Sequence, residues 1–504
     1  MIKKTLFVSG INLAGKLLGL LKIIILASIY GAGSQYDAYV VAYTLPTLLP
    51  QILTTIITTI FIPQFHKRDR NTKESWQGLN VLFTAVLFIS LTATILLYFF
   101  SHQIVVALAP GLAEGTIVKA VSLFEIMSIS TFIIGSSSFL ISLSNAREKF
   151  YLASLDGLII NSIIIVYCII YSLDSNIETI AKLIIIGFFI HFILLIISNR
   201  DTIIKYIRFS FLFKHEDFLK PISRSIPIVI GYIGAVASGI VDQWFTSYED
   251  NGSISVLSYA TMLYLLPMEV FGKAIMQTYF TRFSTTSSYP DRLMRSYNEG
   301  FKLLLFVVLP ISLYLMISNE VLISLIFERG EFSSDDAHMT SLVLSALALG
   351  LSFRIIAYFN YRLLHAVNKS WIAISIGLVG VITNLILNNI LSIYYGLIGI
   401  AVATTISLLI SAVISCMLIK KYYDINYTVF INVNLIKITA TSLTVLLAYN
   451  WATGLVFSDR CLFTSCTIIY NYLILIMIPI AFIFLGYLLK IQEVVDAIKF
   501  IASK

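Results

Sequence analysis

Two lysines, Lys16 and Lys22, stand inside an apolar run that extends from about Thr5 to Ile29. An ammonium at the centre of a hydrocarbon span costs about 2.5–3.5 kcal/mol on insertion scales, so it is tolerated where it faces a water-filled cavity or an anionic partner. Lys16 lies near the middle of the run, too deep to snorkel easily to either interface. The two cations are separated by about 120° around a helix and can flank one broad cavity wall. They point to binding of something negative within the membrane. The structural alternative is neutralisation inside the bundle, for which Asp37, Glu125 and Asp242 are available. Gly15 and Gly19 have the small-xxx-small spacing that admits a second helix at close range.

Asp37 opens the next apolar segment, where the helix dipole favours a carboxylate. It reads either as a cap or as a gate that pairs in one conformation and releases in another. Asp242 and Glu269 carry the same gating or coupling reading, and Glu269 with Lys273 at i,i+4 also fits an internal salt bridge. Pro46 and Pro267 each follow a leucine within a span, remove one backbone hydrogen bond, and are candidate hinges. His191, His365 and Arg354 complete the polar set in or near spans, the histidines reading as hydrogen-bonded packing residues. No His, Cys or carboxylate cluster has metal-ligand spacing, so neither a metal nor a cofactor is expected. Cys168 and Cys416 fall within spans, whereas Cys461 and Cys466 flank a loop and could pair in an oxidising compartment.

The elements that must position these groups are membrane helices. Only 12% of the 504 residues are charged, 58% are hydrophobic, and the mean hydropathy is +0.90. Segments about 20 residues long recur along the chain, as bilayer-spanning helices require, and the period-2 alternation of an outer-membrane barrel is absent. The expected architecture is an all-α polytopic membrane protein of about fourteen spans, near 5–29, 36–63, 77–100, 116–143, 152–172, 176–198, 221–248, 254–281, 296–318, 339–366, 369–393, 396–422, 430–453 and 466–490. Lys and Arg gather on alternate loops, including Lys67, Arg68, Arg147, Arg200, Lys214, Arg282, Arg292 and Lys420. The opposite loops hold Glu249, Asp250, Glu328, Glu331, Asp335 and Asp336. The positive-inside rule then places both termini in the cytoplasm. The net charge of +7 accordingly reads as topology and headgroup contact, not as nucleic-acid binding.

A basic stretch, 199–220, separates an expected six-helix lobe at 1–198 from a second at 221–422, with two extra helices in 423–504. Gly33-Ser34 with Leu45-Pro46, and Gly252-Ser253 with Leu266-Pro267, mark the second helix of each lobe. Equal helix numbers with the same orientation make the lobes parallel repeats, with a site expected between them.

Four stretches carry a family resemblance: Gly15 to Ala42 with its GAG and downstream Asp37; Leu45-Pro46 through Phe61-Ile62-Pro63; Gly252 to Ser284; and Phe327 to Thr340, reading FERGEFSSDDAHMT. On these the chain resembles the MurJ (MviN) lipid II flippases of the multidrug/oligosaccharidyl-lipid/polysaccharide exporter superfamily. The resemblance implies two six-helix lobes around a cationic cavity, alternating access driven by an ion or the membrane potential, and a polyprenyl-pyrophosphate-linked glycan carried across the bacterial inner membrane for cell-wall synthesis. The family's cations in its first helix map onto Lys16 and Lys22, and its acidic residue maps onto Asp37. Gln51 and Met262 stand where the family has arginine, and its acidic residue further along the second helix is replaced near Thr55.

Three other readings follow from the residues. A flippase for another lipid-linked surface polysaccharide would keep the fold with altered cavity charge. A drug/cation antiporter of the same superfamily would favour acidic cavity residues. A membrane glycosyltransferase would want paired carboxylates in an outer loop, where Asp335-Asp336 is the nearest candidate, and the expectation is a transporter without enzymatic chemistry.

Overall fold

The computed structural model describes residues 2–67, 76–171, 175–212, 216–423 and 444. The described elements are helices: α1 (Ile2–Tyr30), α2 (Ser34–Lys67), α3 (Gln77–Phe99), α4 (Ser101–Leu108), α5 (Glu114–Ala146), α6 (Phe150–Ala153), α7 (Leu155–Tyr171), α8 (Ile177–Tyr206), α9 (Glu216–Thr246), α10 (Ser253–Pro267), α11 (Lys273–Thr286), α12 (Pro290–Ile317), α13 (Asn319–Phe327), α14 (Ser334–Ala366) and α15 (Ser370–Tyr423). Ten stretches among the described residues are long and apolar enough to cross a membrane. In lipid a helix meets all its own backbone hydrogen bonds, which is why apolar runs of this length take this form.

Helices occupy each of the first twelve expected spans. The expected spans 369–393 and 396–422 form one continuous stretch, α15, bent at Gly396 (φ 54°, ψ −136°). The short helices α4 and α13 were not expected from hydropathy, because eight or nine residues cannot span a bilayer. Apart from residue 444, the two last expected spans lie outside the described residues, as do Cys461 and Cys466.

The chain divides into two compact units. The first comprises Met1–Ser255 with Arg329–Ser333, and the second Val256–Glu328 with Ser334–Lys504. Within the first unit α2 packs along α5, α1 along α7, and α3 and α8 against α5. Helix α5 buries many hydroxyls by turning them onto its own backbone: Ser137 Oγ donates to the Ile133 carbonyl at 2.7 Å and Ser144 Oγ to Leu140 at 2.8 Å. Such back-bonding satisfies the hydroxyl without a partner helix and lets neighbours approach. Phe61, Phe65, Trp76 and Phe139 build an aromatic core at one end of this unit, closed by Trp76 stacked on Tyr206 at 4.9 Å. In the second unit α14 packs along α15 and α12. There Tyr297 donates to Asn360 Oδ1 at 2.8 Å, and Asn360 Nδ2 donates to Ser415 Oγ at 2.8 Å.

Candidate functional site

Helix α1 positions both lysines, and its partner is α7. A Cβ added to Gly15 would lie 3.6 Å from the Leu158 backbone nitrogen and 3.9 Å from the Gly157 Cα of α7, and one added to Gly19 would lie 3.3 Å from Asn161 Nδ2. Asn161 Nδ2 donates to the Gly15 carbonyl at 3.1 Å. The close helix approach expected from Gly15 and Gly19 is thus made by α7, and a buried amide ties it. Lys16 and Lys22 are half-buried. Lys22 projects on the side facing α7, within electrostatic reach of the Cys168 thiol. Lys16 lies about 100° around from Gly15, beside the α7 contact.

Of the carboxylates considered as partners, two are engaged elsewhere. Glu125 accepts a hydrogen bond from Ser101 Oγ at 3.0 Å. Asp37, in the first turn of α2 and 1% exposed, accepts from Gly252 N at 2.7 Å, Ser255 N at 2.7 Å and Ser255 Oγ at 2.5 Å. One carboxylate therefore caps the start of a second helix, α10, where unpaired amides and the dipole favour an anion. Asp242 is buried in α9, next to Gln243, whose Oε1 accepts from Thr44 of α2 at 2.9 Å.

Two glycines hold the C-terminal end of α1 in place. Gly252 has φ +91°, and a Cβ there would sit 2.0 Å from the Ala32 carbonyl oxygen; Gly330 has φ +61°, and its Cβ would sit 2.1 Å from that of Ser28. Only glycine fits either position, for steric and conformational reasons together. The Glu331 amide donates to the Ser28 carbonyl at 2.9 Å. The FERGEF stretch, read from sequence as a turn into a helix, is that turn and also a clamp on α1. In the neighbouring loop, burial and then the nearby Asp250 raise the Glu249 carboxyl above its ordinary pKa.

The two candidate hinges differ. Pro46 is buried inside an unbroken α2, its carbonyl accepting from Thr131 Oγ1 at 3.1 Å. Pro267 ends α10 and opens a π-helical turn, Met268–Gly272, ahead of α11. A π-turn is a frequent mark of functional sites in helices. Glu269 lies in that turn and pairs with Lys273 at 2.7 Å. Arg354 Nε donates to the Tyr264 hydroxyl at 2.8 Å. His191 hydrogen-bonds the Leu152 carbonyl at 2.8 Å, and His365 Nδ1 lies 3.0 Å from Ser370 Oγ. Gln51 Oε1 accepts from the Tyr232 hydroxyl at 2.8 Å, and Met262 is half-buried in α10.

Sequence reasoning passed over Asp156. It sits in the first turn of α7 beside Gly157 and within electrostatic reach of Tyr43 in α2. Its place near the start of the expected span 152–172 made it resemble an ordinary helix-start residue. The adjacent glycine was the available signal that a second helix comes close there.

A polytopic helical bundle with cations in its first span and a capped helix start defines a membrane protein of the exporter fold. Solved multidrug MATE transporters share that fold: an inward-facing one matches with a TM-score of 0.66 at 13% identity, covering 82% of this chain and 98% of its own. A closer likeness is to a lipid II flippase MurJ in an inward closed conformation, with a TM-score of 0.79 at 26% identity over 96% of this chain and 100% of the other. The family model described as "Lipid II flippase MurJ" matches residues 26–482. Curated relatives include a probable lipid II flippase MurJ from Buchnera aphidicola, 26% identical over 84% of each chain, and the lipid II flippase MurJ of Thermosipho africanus, 28% identical over 81% of this chain and 83% of its own. The chain belongs to the MurJ family, which makes it a multi-pass membrane transporter and not an enzyme.

Proposed function

We infer that the chain is a lipid II flippase of the bacterial inner membrane, carrying the polyprenyl-pyrophosphate-linked precursor from the inner to the outer leaflet for peptidoglycan synthesis. The observation that carries this reading is a pair of cations, Lys16 and Lys22, half-buried in a span of a MurJ-family bundle. An anionic headgroup entering from the cytoplasmic side meets the lysines, and no covalent step is required. Both termini lie in the cytoplasm in this reading. The twelve leading spans act as two six-helix lobes, 1–198 and 221–422, rocking about the headgroup, with two further helices in 423–504.

Asp37 serves as the outer gate: while it caps α10 the outer end stays closed, and its release frees the first turn of α10. Its three donors support this role, because a latch of several charge-assisted bonds holds one state firmly and can be lost as a unit. Pro46 and Pro267 take the bending, and Asp242 and Glu269 couple the cycle to a monovalent ion or to the membrane potential. The substrate lipid and the surrounding membrane lipids are the partners.

Complementation tests the reading. A bacterial host depleted of its resident flippase is made to express this chain, and labelled lipid II reaching the outer face is measured. Rescue is expected for the native chain and loss for the Lys16→Ala, Lys22→Ala double variant at equal expression. A well-expressed native chain that gives no rescue overturns lipid II as the substrate. Gln51, bonded to Tyr232 where the family has arginine, would then favour a different lipid-linked glycan.

A further inference from the structure

We propose that residues 207–212, which follow α8, form a strap lying back along α3, and that the outward face of this strap is seated in the acyl chains of the bilayer. The observations begin with backbone pairing. Helix α8 ends at Tyr206, and Ile207 is extended (φ −79°, ψ 126°). From there the chain runs without helix to Leu212. Asn80 of α3 donates from Nδ2 to the Tyr206 carbonyl at 3.2 Å and accepts at Oδ1 from the Arg208 amide at 3.1 Å. One turn further along α3, Thr84 Oγ1 accepts from the Ser210 amide at 2.9 Å and donates to the Asn80 carbonyl at 2.8 Å. Backbone groups of residues 206, 208 and 210 thus meet side chains at i and i+4 of a helix, much as an extended chain meets a neighbouring strand. Asn80 is 7% exposed and Thr84 is fully buried. Committing a buried amide and a buried hydroxyl to a loop backbone suits a place without water, because lipid offers a peptide group no partner.

Depth points the same way. Trp76 stacks on Tyr206 at the start of the apolar stretch Gln77–Phe99, where such amphipathic rings mark a membrane interface. The strap then follows α3 away from that level. The Phe209 ring lies 5.7 Å from that of Phe83, and the Phe211 ring 5.8 Å from that of Phe88. Phe88 is twelve residues beyond Trp76, about 18 Å along a helix, which is well into a hydrocarbon layer about 30 Å thick. Phe209, Phe211 and Leu212 are 66%, 62% and 55% exposed, and Phe211 meets Phe88, itself exposed on α3. The strap and the span therefore share one apolar face. Left in water, such a face is an aggregation liability. At the Tyr206 end the character changes, since Lys205 and Arg208 are exposed there and suit anionic headgroups. Cations at the interface level with phenylalanines beyond it fit lipid as the occupant. The proposal stands independently of what the chain transports.

Site-directed spin labelling tests it. In full-length chain with its four native cysteines replaced by alanine, Phe209→Cys, Phe211→Cys and, as an aqueous control on the exposed end of α8, Arg200→Cys are labelled one at a time. Each is reconstituted in liposomes of phosphatidylethanolamine and phosphatidylglycerol. Labels at 209 and 211 are expected to be relaxed by oxygen and shielded from a water-soluble nickel chelate, with the reverse at 200. Nickel access at 209 and 211 equal to that at 200 overturns the proposal. Shielding from both reagents also overturns it, by showing that a polypeptide and not lipid covers the face.

A second arm tests what holds the strap. Asn80→Leu with Thr84→Val removes both acceptors at similar side-chain volume, and nickel access at 209 and 211 is expected to rise toward that at 200. Thr84→Ser, which keeps the hydroxyl, is expected to leave both labels shielded. Unchanged shielding in the double variant overturns the assignment of Asn80 and Thr84 as the residues that seat the strap.

Discussion

The C-terminal end of α1 and its middle solve opposite problems with the same materials. At the C-terminal end Asp37 is buried with three donors, and Gly252 and Gly330 let two loops touch the α1 end carbonyl to backbone. In the middle, Lys16 and Lys22 are half-buried, and the helix contact beside them is made by glycines and one asparagine. A group whose hydrogen bonds are fully met holds one arrangement, since any movement leaves buried donors unpaired. A charged group with part of its surface open can exchange a protein partner for a ligand. In the proposed cycle the C-terminal end of α1 locks and its middle exchanges partners.

Substitutions that break this contrast should separate stability from transport. The largest effect is expected from Gly252→Ala: the positive φ alone costs about 1–2 kcal/mol, and the added methyl overlaps the Ala32 carbonyl. Thermal unfolding in detergent should drop sharply, and an unchanged midpoint would show that the contact at Ala32 is loose. Next comes Asp37→Ala, which strands buried donors at about 1–3 kcal/mol. Asp37→Asn, which keeps one acceptor, should lose less on the same melting curve.

Lys16→Ala should do the reverse. Transport of labelled lipid falls about tenfold or more, as loss of a charge-assisted contact worth about 1.5–3 kcal/mol requires, while the melting midpoint stays near native. Lys16→Arg should retain transport, so a dead arginine variant at full expression would argue against charge as the relevant property. The smallest effect is expected at Asn161→Ala, which removes the bond to the Gly15 carbonyl. Interhelical hydrogen bonds in membranes average about 0.6 kcal/mol, and a larger loss would mean that the α1–α7 seam also orients the lysines.

Much of this was legible in the residues themselves. Span positions, the placement of Lys16 and Lys22 within the first span, the helix contact at Gly15 and Gly19, the i,i+4 pairing of Glu269 with Lys273 and the MurJ-like motifs all rest on local composition and spacing, and each depends on residues near one another along the chain. Hydropathy marks a helix because lipid leaves the backbone no other partner, and a charge within such a run is conspicuous because burying it is costly.

What only the tertiary structure decided are pairings between distant residues. Nothing along the chain says that Asp37 caps a helix beginning more than two hundred residues later, that Gly330 touches Ser28, or that α7 is the helix that meets Gly15. A helix start accepts a carboxylate from any neighbour, and a glycine admits any backbone. The preference is written in the residue, but the partner is chosen by how the helices pack.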